Sequence, residues 1–94
     1  MKIPTQPIQI ERPSDYRPRL SISKTTEFRL REKGLLPPVV QISERAVGLP
    51  KHEVDILVAA KIAQKSNDEI LEIIKRLVAA RGFNVEAMME AVGA

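Results

Sequence analysis

The sequence predicts a mainly α-helical protein with one small β-hairpin. Apolar residues recur every three or four positions in several stretches after residue 20, which is the spacing of helices that bury one face. Between the first two of these stretches, Gly34 and the pair Pro37-Pro38 interrupt the helical pattern, and β-branched residues follow. A chain of 94 residues suits one small domain with a modest core.

The N-terminal segment, residues 1–19, is predicted to be a basic, partly ordered arm because its four prolines oppose a long helix. Ser14 is placed to cap a single helical turn at residues 15–17. A short edge strand is also compatible with the isoleucines of this segment, Ile3, Ile8 and Ile10.

The first clear helix is predicted to begin after Ser23, because serine is a preferred N-cap residue. Gly34 suits the C-terminal stop of this helix, about three turns later. Its inward stripe is expected to contain Ile22, Thr26 and Leu30, with Phe28 beside the stripe.

Residues 39–49 predict a two-stranded hairpin. β-forming residues at 39–42 lead into Ser-Glu-Arg, which forms a tight connection, and the chain returns through residues 46–49. Arg45 is therefore expected near the tip of the hairpin. Because an isolated hairpin is only marginally stable, it should pack against the helices.

Three further helices are predicted in the second half of the chain. Pro50 suits the start of one that runs to about Lys65, and Ser66 or Asn67 suits the cap of the next. Their apolar stripes are predicted to be Val54, Leu57, Val58 and Ile62, then Ile70, Leu71, Ile74, Leu77 and Val78. A short helix follows Gly82, with Val85, Met88, Met89 and Val92 as its apolar candidates.

These patterns divide the chain into the arm (1–19), a central domain (20–65) and a C-terminal helical extension (66–94). The extension carries more apolar surface than two short helices can bury against a small domain with few aromatic residues. We therefore expect it either to close the core or to form a homodimer.

Charge is distributed unevenly along the chain. Residues 1–52 hold ten Lys and Arg against five acidic residues, a net charge of +5, whereas residues 53–94 hold five against seven, a net charge of −2. Cations gathered in one half favour an anionic partner such as a nucleic acid, although a basic surface that binds no partner explains the charge equally well.

Groups that carry catalysis are scarce in this sequence. Cysteine is absent and His52 is the only histidine, which excludes thiolate chemistry and cysteine–zinc sites. We expect no enzymatic activity, no cofactor and no metal. No segment has the apolar length of a membrane span or the pattern of a signal peptide, so the sequence predicts a cytoplasmic protein without a membrane partner.

The central domain resembles the AlpA family of regulators from phages and mobile elements, which is similar to the excisionase and MerR-type winged helices. The family pattern S-x-x-T-x-[YF]-R-L appears here as Ser23, Thr26, Phe28, Arg29 and Leu30. Gly34 and Pro37-Pro38, the Arg-Ala-Val-Gly run at 45–48 and Glu-Val-Asp at 53–55 continue the match.

The resemblance implies a winged helix-turn-helix followed by C-terminal helices, in which the helix after Ser23 enters the DNA major groove and the hairpin is the wing. The first helix of such a unit falls where Pro13 and Pro18 stand, so it should be short or irregular. The implied function is that of a sequence-specific DNA-binding protein, either a transcriptional regulator or a recombination directionality factor (excisionase) that works with an integrase.

The residues expected at double-stranded DNA are Ser23, Lys24, Thr25, Thr26, Glu27, Arg29, Arg31 and Arg45. A glutamate at the front of a recognition helix accepts a hydrogen bond from cytosine. For Arg29 and Arg45 the alternative is an internal salt bridge with Glu32 or Glu44. The alternative function is that of a non-catalytic winged-helix adaptor that binds another protein.

Overall fold

A computed structural model of the protein describes residues 8–93, which form five helices and a small antiparallel sheet. The helices are α1 (Pro13–Leu20), α2 (Lys24–Glu32), α3 (Lys51–Ile62), α4 (Asn67–Ala79) and α5 (Phe83–Ala91). The strands are β1 (Ile10–Glu11), β2 (Val40–Ser43) and β3 (Ala46–Pro50). The predicted class, mainly helical with a small β element, is confirmed.

The hairpin lies where the sequence predicts it, but the sheet has a third strand. β2 pairs antiparallel with β3, with Val40 opposite Gly48 and an irregular register between Gln41 and Ser43. β3 is the central strand, because β1 pairs with its other edge and places Ile10 opposite Pro50. Through this pairing, the hairpin is hydrogen-bonded to the segment that precedes α1.

Residues 8–19 differ from the expected arm. Pro13 occupies the first position of α1, where its fixed φ suits a helix start, and Pro18 is tolerated inside the helix. α1 persists because Tyr16 and Leu20 are both buried in the core, which compensates for the backbone hydrogen bond that Pro18 removes. The remainder of the predicted arm, residues 1–7, lies outside the described residues.

One core is shared by elements from both the central domain and the C-terminal extension. Its buried members are Tyr16, Leu20, Leu36, Leu49, Val54, Leu57, Ala60, Ile70 and Ile74. α4 therefore closes the core, which is one of the two roles expected for the extension. The predicted stripe of α3 is wrong at its end, because the side chain of Ile62 is 78% exposed.

A buried ion pair also attaches the end of α4 to α3. Glu53 is fully buried, and Arg81 donates to both of its carboxylate oxygens, at 2.9 and 2.7 Å. The same guanidinium donates to the carbonyl oxygen of Pro38. Hydrogen bonding to Glu53 raises the pKa of Arg81, so the guanidinium keeps its charge. These bonds join α3, the loop before β2 and the connection to α5.

Gly48 lies on the central strand, where residues of both β1 and β2 come close to it. A Cβ atom at this position would lie 2.5 Å from the carbonyl oxygen of Glu11 and 2.7 Å from a side-chain carbon of Ile10. Both distances are shorter than van der Waals contact, and the closer one is to backbone. β1 can therefore lie along β3 only while residue 48 has no side chain.

We predict that Gly48→Ala lowers the free energy of unfolding by about 1–3 kcal/mol, because β1 must move away from β3. Chemical denaturation followed by circular dichroism measures this change. Gly82→Ala is the matched control, since a Cβ there meets no atom within 4 Å and its φ is −77°. Equal stability of Gly48→Ala and wild type would show that β1 contributes nothing to the fold.

Candidate nucleic-acid interface

α2 begins at the predicted cap. The hydroxyl oxygen of Ser23 accepts a hydrogen bond from the backbone N–H of Thr26 at 3.1 Å and satisfies one of the free amides of the first turn. Only three residues, 21–23, connect α1 to α2, and Ser21 has a left-handed φ of 55°. This tight connection leaves the two helices adjacent in space.

α2 presents a continuous exposed face to solvent. Thr25, Phe28, Arg29 and Glu32 follow the spacing i, i+3, i+4, i+7 and are all exposed. Lys24 borders this face at the start of the helix and is exposed as well. We refer to Thr25, Phe28, Arg29 and Glu32 as the outer face of α2.

The opposite side of α2 is built around a buried carboxylate. Glu27 is only 5% exposed and accepts hydrogen bonds from the Tyr16 hydroxyl, from Arg17 Nε at 2.5 Å and from Arg31 Nη1 at 2.8 Å. Burial alone would raise the pKa of Glu27, but these three donors outweigh it, and the pKa lies below its usual value. The carboxylate is therefore ionised at neutral pH.

The expectation that Glu27 faces DNA is wrong. Its carboxylate is enclosed by donors from α1 and α2 and has no access to a base. Burial and the neighbouring carboxylate raise the pKa of Tyr16, which keeps its hydroxyl protonated as a donor. The residue that the sequence suggested for reading cytosine instead joins α1 to α2.

Arg31 also differs from the expectation that it points outward. It donates to Glu27 and, through Nε, to the carbonyl oxygen of Pro37 at 3.0 Å. One guanidinium thus joins α2 to the chain that leads into the hairpin. Arg31 positions the outer face and is not part of it.

Two arginines of the predicted arm also form internal ion pairs. Arg17 pairs with Glu27, and Arg19 pairs with Glu11 at 2.6 Å and with Asp55. The hydrogen bond from Arg19 lowers the pKa of Asp55. Arg19 therefore connects β1 and α1 to α3, and exposed pairs of this kind contribute modestly to stability.

Arg45 lies at the tip of the hairpin, in the two-residue turn between β2 and β3, and it is exposed. The side-chain amide of Gln41 donates to the backbone carbonyls of Ser43 and Glu44 and so fixes the strand that leads into the turn. No ion pair within residues 8–93 involves Arg29 or Arg45, so the salt bridges considered for them with Glu32 and Glu44 are not found.

The structure thus separates the predicted site residues into three groups. Lys24, Thr25 and Arg29 are gathered on or beside the outer face of α2, and Arg45 lies on the separate hairpin. Ser23 and Thr26 are exposed but form the helix cap. Glu27 and Arg31 are turned inward, whereas two residues that the sequence did not suggest, Phe28 and Glu32, complete the outer face.

A signal for the outer face was present in the sequence, because residues 25, 28, 29 and 32 have one-face helical spacing. Phe28 obscured it, since an aromatic residue next to a predicted apolar stripe is normally assigned to the core. No pattern in the sequence indicates that a glutamate belongs inside, because its partner Tyr16 comes from the segment expected to be an arm.

No protein-family model matches the chain, and no curated protein or solved structure is significantly similar to it. Within residues 8–93 no group of His, Cys, Asp and Glu is arranged to hold a metal ion. None of the described helices combines the length and apolar character needed to cross a membrane. Any functional assignment therefore depends on the geometry of this chain and on the resemblance noted above.

We predict that Glu27→Gln lowers the free energy of unfolding at neutral pH by about 1.5–3 kcal/mol, because Arg17 and Arg31 lose charged hydrogen bonds to the carboxylate. The folded-state pKa of Glu27 lies below the reference value of 4.5. Its stabilising contribution is therefore complete above that pH and is lost as the pH falls through the folded-state pKa. The variant should show a shallower loss of stability in acid.

Urea unfolding at a series of pH values between neutral and acidic tests this prediction. Glu86→Gln is the control, because Glu86 is exposed on α5. If Glu27→Gln unfolds with the stability and the acid dependence of wild type, the buried carboxylate does not hold α1 and α2 together.

Proposed function

We propose that this protein is a sequence-specific binder of double-stranded DNA, in which α1 and α2 form a helix-turn-helix and β2 and β3 form its wing. The observation that carries the proposal is the outer face of α2. It is an exposed helix surface bearing Thr25, Phe28 and Arg29, and its opposite side is fixed to α1 through Glu27.

The chemistry of the outer face suits the major groove. An α-helix fits this groove, and the N-terminal residues of a recognition helix reach the base edges. Thr25 and Arg29 supply a hydroxyl and a forked set of donors, and arginine pairs with O6 and N7 of guanine. Lys24, at the start of α2, is suited to a phosphate.

The hairpin suits a second contact with the DNA backbone. Arg45 projects from a short turn that carries no other cation, and its guanidinium forms no ion pair with a described residue. A single cation on a wing neutralises a phosphate without reading sequence. We therefore assign affinity to Arg45 and discrimination to the outer face of α2.

The resemblance to the AlpA family supports a role in a phage or an integrated mobile element. A transcriptional regulator and an excisionase that assists an integrase both fit the same DNA-binding unit, and such a protein acts in the cytoplasm, where the DNA lies. The genomic neighbourhood distinguishes the two roles, since an adjacent integrase gene favours excision.

We predict that Arg45→Ala weakens binding to preferred and scrambled duplexes equally and lowers the slope of log affinity against log salt by about one unit. We predict that Arg29→Ala acts mainly on the preferred duplex and costs about 1–3 kcal/mol there. Titrations of both duplexes at two salt concentrations measure the two effects, with circular dichroism to confirm folding.

Arg76→Ala is the matched control for these titrations, because this arginine is also exposed but lies on α4, where it pairs with Glu72. It should bind as wild type does. If Arg29→Ala and Arg45→Ala both stay folded and bind every duplex as well as wild type, the assignment of α2 and the hairpin to DNA is wrong.

A second candidate function, protein–protein association, is favoured by the exposed apolar surface of α5. This helix contributes no residue to the buried core, and Val85, Met88 and Met89 are between 47% and 62% exposed. A groove of about 380 Å³ between α5 and the sheet is lined by Ile8, Ile10, Val40, Pro50, His52, Arg81, Val85 and Met88. Apolar patches of this kind are typical of association surfaces.

We predict a homodimer that forms through α5, because a second copy would cover this apolar surface and would bring two α2 helices to a repeated DNA site. Sedimentation at high micromolar concentration should show the dimer, and Met88→Glu should shift it to monomer. Ile62→Glu is the control, because Ile62 is the most exposed apolar residue of α3. A monomeric wild-type protein under these conditions would favour the adaptor alternative for α5.

A further inference from the structure

Phe28 is the one apolar side chain on the outer face of α2. It is 65% exposed, although the chain contains only two phenylalanines and one tyrosine. The other apolar residue of α2, Leu30, packs against the core. The aromatic ring at position 28 therefore contributes little to the core and is accessible to a ligand.

The neighbours of Phe28 indicate the kind of ligand. The outer face also carries Thr25, Arg29 and Glu32, and no second apolar residue adjoins the ring on this face. Protein-binding hot spots are usually surrounded by other well-packed contacts that exclude water. A lone ring among hydrogen-bonding and charged groups is instead complementary to a ligand whose surface presents one isolated apolar group among polar ones.

The major groove of DNA is such a surface. Its base edges present donors and acceptors, and the one apolar group among them is the C5-methyl of thymine. Phenylalanine is among the side chains that contact this methyl group. Phe28 is the middle residue of α2, about one turn from the N-terminal end that reaches the bases in a recognition helix.

We propose that Phe28 is a specificity-determining residue that packs against the C5-methyl group of a thymine in the major groove, next to the base pair contacted by Arg29. This inference rests on the proposed function, because it requires α2 to enter the groove. It adds a thymine requirement that the charged residues do not supply. The methyl group would displace water from the ring, and the thymine would be favoured over cytosine, which lacks the group.

The test begins with duplexes selected from a random library by the wild-type protein. Each thymine of the preferred duplex is then replaced singly by deoxyuridine, which removes only the methyl group and keeps the base pair. Wild type should lose affinity about fourfold at one or two positions, the factor expected when one methyl group is no longer buried. Replacements at the other thymines should have no effect.

Phe28→Ala is titrated against the same duplexes. Because the ring is largely exposed, the variant should stay folded, bind the thymine-containing duplex several-fold more weakly than wild type, and no longer distinguish thymine from deoxyuridine. Phe83→Ala is the matched control, since Phe83 is the other phenylalanine and lies on α5. Even if it lowers overall affinity, it should keep the full response to deoxyuridine.

The outcomes separate this inference from the function on which it rests. If Phe28→Ala keeps the wild-type response to deoxyuridine at every thymine, Phe28 does not read a methyl group, although the protein still binds DNA. If wild type binds every deoxyuridine-substituted duplex as tightly as the original duplex, Phe28 likewise does not read a methyl group. If wild type binds no duplex in preference to others, both the inference and the proposed function are overturned.

Discussion

The orientation of α2 depends on the ionised carboxylate of Glu27. Three donors converge on it: the hydroxyl of Tyr16 and the guanidinium groups of Arg17 and Arg31. A buried charge is costly unless it is paired and hydrogen-bonded, so α1 and α2 are held in the arrangement that supplies all three donors. The contacts between Glu27 and its three donors orient α2 more than they add net stability. The cost of removing these charges from water opposes much of their attraction. The exposure of Thr25, Phe28 and Arg29 follows from this arrangement.

The features that the sequence predicted correctly are local ones. Ser23 caps α2, and Ser66 caps α4 in a reciprocal arrangement with Glu69, because capping requires only residues three positions apart. The hairpin was equally visible, since a turn between two short β-forming runs involves neighbouring residues. The predicted stripe of α4 holds at Ile70 and Ile74, which are buried.

The features that the sequence did not predict depend on contacts between distant segments. α1 contains two prolines, and its stability comes from Tyr16 and Leu20, whose burial depends on α3, α4 and the sheet. The buried side of α2 keeps Leu30 from the predicted stripe, but Glu27 is buried in place of Thr26, which is exposed. This difference follows from the partners of Glu27. Polar residues with distant partners have no periodic signature, so the inner and outer faces of α2 became distinguishable only in three dimensions.

The central position of β3 has a consequence for biosynthesis. Ile10 and Glu11 are synthesised before their partners in β3, Pro50 and Leu49. The core remains incomplete until Ile74 is available, because that residue belongs to it. At about 5–20 residues per second, synthesis of the chain from Leu20 to Ile74, the last residue of the core, takes roughly 3–10 s. During this interval the core around Tyr16 and Leu20 is incomplete, so a chaperone can bind these side chains before α4 leaves the ribosome.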